Sequence, residues 1–398
     1  MLTLLPDLDS LTSSLLYSYL RSIEPPRATF APLYVPLLNL SSSGLRLRPE
    51  FTAVCAHANI SLSNLITLDD FSDRLGNVHF ILVDHNKLQG ELGKRYSASV
   101  HGVIDHHEEE YAVPGETEPE PRIVEKCGSC TSLVVHYCRP SWDCITSSSL
   151  SSGAAHGQGE AAVDDSAVVQ GWDAQIAKMA LASILIDTAN LTAPGKVEKV
   201  DQEAVEYLET KIQMSAKHAG SWNRDEYYRE IDEAKRDIDA LTLGEILMKD
   251  YKEWAENGLN LGISSVVKPL EYLTKKVEAD PNVPKFDDEL AHFMEDRALS
   301  IFSIMTTSTT AEGEFKRELL TQVKEDGFTS LRNFAERAVS ALQLEDVQIK
   351  GIVTQQDPVP GQIWRKTWLQ GDLSKSRKQV APSLRESMMA KRSPDTFS

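Results

Sequence analysis

The sequence predicts an α/β protein of two domains, with a doubly wound parallel sheet in the first domain and a mixed sheet in the second. Two apolar runs, Ile81–Val83 and Val103–Ile104, are rich in β-branched residues and suit strands buried on both faces of a parallel sheet. Helical connections alternate with these strands, as in doubly wound folds. The length of 398 residues allows two hydrophobic cores.

Both apolar runs end abruptly in polar residues. Asp84 and His85 follow the first run, and Asp105, His106 and His107 follow the second. Open α/β sheets bind their ligands beyond the carboxyl ends of the strands. We therefore expect these carboxylates and imidazoles to lie at one edge of the first sheet.

Two further segments add carboxylates to this edge. Asp7 and Asp9 lie near the start of the chain, and Asp187 follows the apolar run Met179–Ile186. Four segments that carry Asp or His and converge on one sheet edge are typical of a two-metal hydrolytic site.

The first domain is expected to begin with a helix at Ser10–Leu20, which has one apolar face and is capped by Asp9 or Ser10. A connection that contains a helix should follow at Leu62–Leu75. Two strands are then expected, at Val78–Val83 and Val100–Ile104.

Composition changes in the middle of the chain. Residues 141–170 are rich in Ser, Ala and Gly, which predicts a disordered surface insertion. A helix at Lys178–Leu185 should then deliver Asp187 to the site. Charged residues 201–235 suggest a helical connector with a bend at Gly220. The expected domains are therefore residues 1–200 and residues 236–398.

The second domain is predicted to be α/β with at least one mixed sheet. Amphipathic patterns favour helices at Leu241–Trp254 and Leu331–Leu344. Strands are expected at Leu259–Val267, Ala298–Thr307 and Val347–Thr354.

Overall composition excludes several classes of function. The formal net charge of −18 argues against broad binding to nucleic acid or to an anionic membrane, although an anionic substrate stays possible. The sequence has no apolar stretch of about 18 residues, so we expect no transmembrane helix. Five cysteines without a secretory signal indicate reduced thiols and a cytoplasmic location.

The ordered set of Asp-x-Asp, Asp-His-Asn, Asp-His-His and a later Asp resembles the DHH phosphoesterase superfamily. Gly262–Lys268 and Ser376–Pro382 resemble the second domain of its subgroup with a DHH-associated C-terminal domain. That subgroup contains family II inorganic pyrophosphatases, prune-type phosphodiesterases and fungal exopolyphosphatases. Lys249–Lys252 and Asp296–Ser300 are most similar to the exopolyphosphatases.

The resemblance implies two divalent metal ions, Mn²⁺ or Mg²⁺, with Co²⁺ also possible. It implies that Asp7 binds one metal, Asp9 binds the other and Asp84 bridges both. His106 and Asp187 would complete the shell of the second metal. The implied reaction is in-line attack of hydroxide on a terminal phosphorus.

The resemblance also implies roles beside the metals. His107 would bind the transferring phosphate and donate a proton to the leaving oxygen, while Asp105 orients an imidazole. Arg377 offers a planar fork and Lys378 a compact charge for phosphate. Further substrate contacts are expected from Lys268, Arg297 and the backbone amides of Gly128 and Ser129.

The expected function is that of an exopolyphosphatase, which releases orthophosphate from inorganic polyphosphate or another small phosphoanhydride. Pyrophosphatase or prune-like nucleotide phosphodiesterase activity is an alternative within the same class. For His85, a structural role and a site role stay equally open. The sequence does not indicate an oligomeric state.

The start of the chain departs from the family pattern. Thr3 occupies the position where the family carries Asn or His, and Met1–Leu5 is too short for the expected first strand. A shortened version of an active enzyme would explain this. The alternative is a catalytically weak polyphosphate-binding protein.

Overall fold

The computed structural model describes residues 7–71, 75–155, 160–279, 284–310 and 312–389. The described chain divides into two compact units, the first ending at Asp237 and the second beginning at Ile238. Residues 201–235, expected as a connector, belong to the first unit. Their apolar side chains explain this, because Leu208, Ile212 and Ile231 are buried in its core.

The first unit is mainly helical around small parallel sheets. Its helices are α1 (Leu8–Ile23), α2 (Ser42–Leu45), α3 (Pro49–His57), α4 (Gly90–Tyr96), α5 (Cys130–Ala155), α6 (Glu160–Asp187), α7 (Lys199–Met214), α8 (Ala216–Ala219) and α9 (Arg224–Arg236). Its strands are β1 (Leu37–Leu38), β2 (Ile66–Thr67), β3 (Phe80–Val83), β4 (Val100–Asp105) and β5 (Arg122–Val124).

The strands β3, β4 and β5 form a parallel sheet in that order. The register pairs Val83 with Ile104, and Asp105 with Val124. Because the strands run in the same direction, their carboxyl ends meet at one edge, as the two apolar runs predicted. The expected first strand of the chain falls on residues 1–6, which lie outside the described residues.

Helix α1 begins two residues earlier than expected, at Leu8 instead of Ser10. Its N-cap is Asp7, whose Oδ1 accepts hydrogen bonds from the backbone N–H groups of Asp9 and Ser10 at 3.0 and 3.2 Å. The prediction that Asp9 or Ser10 caps the helix is therefore wrong. Capping by Asp7 places Asp9 in the first turn, where its side chain is free for another role.

The predicted disordered insertion is wrong over most of its length, because residues 141–155 belong to α5 and residues 160–170 belong to α6. The fully buried Trp142 explains the order of this part of α5. Its Nε1 donates to Asp173 Oδ1 at 3.0 Å, and Thr146 Oγ1 donates to Asp173 Oδ2 at 2.7 Å. Lys211 on α7 completes this buried group, 3.7 Å from Asp173.

The second unit has a mixed sheet, as predicted. Its order is β10-β11-β9-β8-β7-β6 within the described residues, with β7 and β8 parallel and the other neighbours antiparallel. Its strands are β6 (Tyr251–Glu256), β7 (Leu259–Val266), β8 (Ile301–Thr309), β9 (Phe315–Val323), β10 (Leu344–Asp346) and β11 (Trp364–Gln370). Its helices are α10 (Leu243–Lys249), α11 (Leu270–Glu278), α12 (Phe286–Asp296), α13 (Phe328–Leu342) and α14 (Arg377–Met389).

Two predicted elements of this unit are wrong. The expected helix Leu241–Trp254 is the short helix α10 followed by β6, whose edge position leaves it half-buried and its pattern ambiguous. The expected strand Val347–Thr354 is irregular and turns at Gly351, where φ is +84°. The central strand β9 and its neighbour β11 were missed.

Helices of the described chain are all too short or too polar to cross a bilayer, in agreement with the expectation from hydropathy. A cytoplasmic location stays a prediction.

Stability should depend on Trp142 and far less on Trp172 of the neighbouring helix, which is 57% exposed. We expect Trp142→Ala to lower the free energy of unfolding by about 3–5 kcal/mol, because it leaves a cavity in the core. The matched variant Trp172→Ala should change it by about 0.5 kcal/mol or less. Urea titrations followed by circular dichroism measure both, and equal losses would contradict the helical packing of residues 141–155.

Candidate metal centre

The site is built at the carboxyl ends of β3 and β4. Asp84 follows β3 directly, and His106 follows β4. Asp84 has a left-handed backbone with φ +61°, and its N–H donates to Ile104 O at 3.0 Å. Such a conformation is strained for a residue other than glycine and is common at functional sites.

The Asp84 carboxylate is buried with one oxygen left over. Its Oδ2 accepts a hydrogen bond from Ser10 Oγ at 2.5 Å, whereas Oδ1 accepts none from the described residues. Oδ1 instead faces His106 Nε2 at 3.4 Å. Burial, followed by the charges of Asp9 and Asp7, raises the pKa of Asp84 well above its usual range.

The imidazole of His106 has a defined orientation. Its Nδ1 lies 3.2 Å from the carbonyl oxygen of Cys127, which can only accept, so Nδ1 carries the hydrogen. In the neutral ring, Nε2 therefore has a lone pair. Nε2 faces Asp84 Oδ1 and lies 4.0 Å from Asp9 Oδ2. This is the arrangement of a metal-binding histidine that is held by a backbone carbonyl.

Asp9 is held by the N-terminus of α5. Its Oδ2 accepts from Cys130 N at 2.6 Å. Its Oδ1 accepts from Thr131 N at 2.9 Å, Thr131 Oγ1 at 2.7 Å and Ser129 Oγ at 2.8 Å. A carboxylate at a helix N-terminus is stabilised by free N–H groups and by the helix dipole. Asp9 is thus fixed in position beside Asp84 and His106.

Asp7 and Asp187 belong to the same electrostatic group. Desolvation and the charges of Asp9 and Asp7 raise the pKa of Asp187 well above its usual range. For Asp7, burial acts in the same direction, but the Ser10 amide and the cations Lys235 and Arg48 outweigh it and lower its pKa. The charges of Asp7 and Asp9 therefore act on Asp84 and Asp187, and shared metal binding by the four aspartates stays a prediction.

The end of α6 is strained next to Asp187. Ala189, Asn190 and Leu191 have φ values of 49°, 56° and 64°, three consecutive left-handed residues without a glycine. Hydrogen bonds hold this turn, including Asn190 N to Leu185 O at 2.7 Å. Each such residue costs about 1–3 kcal/mol and persists only where surrounding contacts determine it.

His107 points its Nδ1 at a buried carboxylate. Nδ1 donates to Asp105 Oδ1 at 2.8 Å, and this hydrogen bond raises the pKa of His107. Asp105 also accepts from Asn86 Nδ2 at 2.6 Å and from His106 N at 2.8 Å. The side chain of His107 is 53% exposed, so its Nε2 can reach a ligand. Sequence reasoning gave no role to Asn86, which fixes Asp105.

His85 packs beside His107, with ring centroids 6.0 Å apart. Burial, with the nearby His107 as a lesser cause, lowers the pKa of His85. The geometry thus places His85 beside the site and favours its neutral form.

The prediction that Gly128 and Ser129 present amides to a phosphate is wrong. Both N–H groups donate to the carboxylate of Asp201, at 2.8 and 3.3 Å. Ser129 is fully buried and its hydroxyl binds Asp9. The carboxylates of the protein itself occupy this helix N-terminus.

The second unit carries the other predicted phosphate contacts. Arg377 begins α14, and its guanidinium donates to the Asp250 carbonyl oxygen at 2.9 Å and to Asp250 Oδ1 at 2.6 Å. Lys378 is exposed in the first turn of the same helix. Asp250 was not singled out from the sequence, and it fixes the direction of the Arg377 fork.

Lys268 and Arg297 make contacts within the second unit. Lys268 Nζ lies 5.5 Å from the ring centroid of Tyr272. The guanidinium of Arg297 lies 4.0 Å from the ring centroid of Phe293 and donates to Met248 Sδ. The guanidinium of Arg297 thus packs on an aromatic ring, and its contact with a substrate stays a prediction.

The residues of the site fit a divalent cation. Asp84, His106 and His107 each offer a ligand atom, and these atoms lie within 4.8 Å of one another. His107 Nδ1 is already bonded to Asp105, so Asp84 Oδ1 and His106 Nε2 are the open donors. An unpartnered buried carboxylate oxygen facing an imidazole lone pair suits Mn²⁺ and similar ions.

The pKa of His107 should fall in the Asp105→Asn variant. The variant removes the negative acceptor that raises this pKa, while partial burial continues to lower it. Nuclear magnetic resonance titration of the imidazole in metal-free protein measures the change. A pKa of His107 that stays the same or rises would contradict the Asp105–His107 pairing.

Two curated proteins are similar in sequence to this chain over most of its length. A protein of Schizosaccharomyces pombe, named as a candidate exopolyphosphatase, is 29% identical over 386 residues, which cover 96% of this chain and 88% of the relative. Exopolyphosphatase PRUNE1 of Rattus norvegicus is 25% identical over 399 residues, which cover 96% of this chain and 74% of the relative.

A solved structure from Methanococcus jannaschii, described as a candidate family II inorganic pyrophosphatase, has a TM-score of 0.53 and 20% identity over 97% of both chains. This likeness shows the fold. The family model for the DHH family, N-terminal domain, matches residues 3–152, and the model for the DHHA2 domain matches residues 229–387. The chain therefore carries an N-terminal domain of the DHH family followed by a DHHA2 domain.

Proposed function

We propose that the protein is a metal-dependent hydrolase of phosphoric anhydrides, and specifically an exopolyphosphatase that releases orthophosphate from the ends of inorganic polyphosphate. The principal support is the buried Asp84 Oδ1, which has no hydrogen-bond donor among the described residues and faces His106 Nε2 at 3.4 Å. A buried carboxylate oxygen without a partner is costly unless a cation binds it. The relatives named exopolyphosphatase favour polyphosphate as the substrate.

The proposed metal ligands are the side chains of Asp7, Asp9, Asp84, His106 and Asp187. Two divalent cations, Mn²⁺ or Mg²⁺ with Co²⁺ as a further candidate, would neutralise phosphoryl charge and make water a better nucleophile at this site. Imidazole nitrogen in the set favours Mn²⁺ or Co²⁺ over Mg²⁺. The mutual repulsion of the aspartates is consistent with more than one cation.

His107 would act on the leaving oxygen. Its Nδ1 is held by Asp105, so Nε2 is the atom that would donate a proton as the anhydride bond breaks. The raised pKa of His107 keeps a larger protonated fraction available at neutral pH. Arg377, oriented by Asp250, and the exposed Lys378 would bind phosphate groups of the substrate.

Alternatives remain in the same chemical class. The fold likeness to a candidate pyrophosphatase raises pyrophosphate as a substrate, and a nucleotide phosphodiester is the third candidate. A catalytically weak polyphosphate-binding protein is the alternative from another class.

A substrate panel tests the proposed function. With Mn²⁺ or Mg²⁺ present, we expect orthophosphate release from polyphosphate to exceed release from pyrophosphate or a cyclic nucleotide. His107→Gln should lower kcat by about 10²–10⁴-fold, because it removes the proton donor. The matched variant His101→Gln, in a strand histidine that stacks on His79, should leave kcat unchanged. Binding of polyphosphate without turnover would favour the binding protein and contradict the proposed enzyme.

Asp84→Asn should raise the melting temperature of the metal-free protein. The pKa of Asp84 is raised in the folded state, so its ionised form opposes folding at neutral pH. The free energy of unfolding therefore falls as the pH rises above 3.8, the ordinary pKa of this carboxyl group. Asp105→Asn should have the opposite effect, because the pKa of Asp105 is lowered and its ionised form stabilises the fold. Mn²⁺ should raise the melting temperature of the wild type and not that of Asp84→Asn.

Calorimetric scans with chelator and with Mn²⁺ measure these shifts. A metal-free Asp84→Asn variant that melts below the wild type would contradict the electrostatic cost assigned to Asp84.

A further inference from the structure

Asp201 is a fully buried carboxylate on α7 that stands apart from the proposed metal ligands. Its Oδ2 accepts from Gly128 N and Glu198 N, both at 2.8 Å. Its Oδ1 accepts from Ser132 Oγ at 2.6 Å and from Ser129 N at 3.3 Å. A buried carboxylate with four donors is anchored firmly, and it anchors its donors in return.

Two of these donors, the N–H groups of Gly128 and Ser129, belong to the turn at residues 127–131, which leads into α5. Ser132 follows within α5, and Glu198 precedes α7. The other side of this turn faces the metal centre. Ser129 Oγ, Cys130 N and Thr131 N all donate to Asp9. Ser129 is shared between the two carboxylates, because its N–H binds Asp201 and its hydroxyl binds Asp9.

The same turn also orients His106. Cys127, the first residue of the turn, provides the carbonyl oxygen that accepts from His106 Nδ1. If this carbonyl shifted, His106 Nδ1 would lose its acceptor. The ring would then no longer be held in the tautomer that has its lone pair on Nε2. The turn therefore controls two of the proposed metal ligands together.

Close packing limits movement of the turn towards α7. A Cβ atom added to Gly128 would lie 2.5 Å from Thr188 Cγ2 and 2.8 Å from Asp201 Oδ2. Thr188 follows Asp187 directly in the chain. The turn, the end of α6 and the start of α7 thus pack without space for an alternative position.

On the basis of the metal-dependent function proposed above, we infer that Asp201 is a positioning residue for the divalent-cation site. It holds the turn at residues 127–131, and through that turn it sets the Asp9 carboxylate and the His106 ring. Loss of its charge would leave buried N–H groups with a weaker acceptor and let the turn relax. Outer partners of metal ligands typically change metal affinity by about 10–100-fold when they are removed.

Asp173 offers a matched control in the same group of helices. It is also buried and also accepts two hydrogen bonds, from Trp142 Nε1 and Thr146 Oγ1. Its partners lie within α5 and α7 and include neither Asp9 nor the turn at residues 127–131. A merely structural role predicts that Asp201→Asn and Asp173→Asn affect the protein in the same way.

Electron paramagnetic resonance titration with Mn²⁺ alone separates these roles. We expect Asp201→Asn to bind Mn²⁺ about 10-fold more weakly than the wild type, and Asp173→Asn to bind within about twofold of it. Excess Mn²⁺ should restore most of the kcat of Asp201→Asn. Wild-type affinity in Asp201→Asn, or an equal loss in both variants, would overturn the inference.

A milder pair of variants applies if Asp201→Asn fails to fold. Ser132→Ala removes one donor to Asp201, and Thr146→Ala removes the corresponding donor to Asp173 on the same helix. A few-fold loss of Mn²⁺ affinity in Ser132→Ala alone supports the inference, and equal affinities overturn it. If the wild type binds Mn²⁺ but does not hydrolyse polyphosphate, the proposed function fails while the effect of Asp201 on metal binding still stands.

Discussion

The first unit depends on keeping several carboxylates near one sheet edge, of which Asp9 and Asp84 are buried. Burial, followed by repulsion from Asp9 and Asp7, raises the pKa of Asp84, and the same causes raise the pKa of Asp187. Hydrogen-bond donors offset this repulsion only in part. Both oxygens of Asp9 accept hydrogen bonds, but Asp84 Oδ1 accepts none from the described residues. The remaining negative potential is what makes the site suitable for divalent cations.

The backbone around the site carries strain that regular packing elsewhere supports. Asp84 is left-handed at the end of β3, and a left-handed turn follows Asp187 at the end of α6. The cost of these conformations is offset by the core that α1, α5 and α6 form beneath them. Hydroxyl contacts between Thr12, Thr131 and Ser183 join these three helices close to Asp9.

The sequence was most informative where a short local pattern determines the secondary structure. Apolar β-branched runs predicted β3 and β4, and the polar residues at their ends predicted which side chains would meet. It was least informative where order comes from distant partners. The Ser- and Ala-rich residues 141–155 lack strong periodicity, yet they belong to α5, where the buried Trp142 binds a carboxylate 31 residues away. Asp201 binds the turn at residues 127–131 across a long stretch of sequence, so no local pattern marks it. Asn86 and Asp250 lie in motifs noted from the sequence, but their partners Asp105 and Arg377 are distant, so their roles were not predicted.

Anomalous diffraction from crystals grown with Mn²⁺ tests the central claim, that the unpartnered oxygen of Asp84 exists to bind a cation. We predict an anomalous peak in contact with Asp84 Oδ1 and His106 Nε2, with the Nδ1 of His106 still on the carbonyl oxygen of Cys127. A saturated crystal with ordered Mn²⁺ elsewhere and none beside Asp84 would contradict the account.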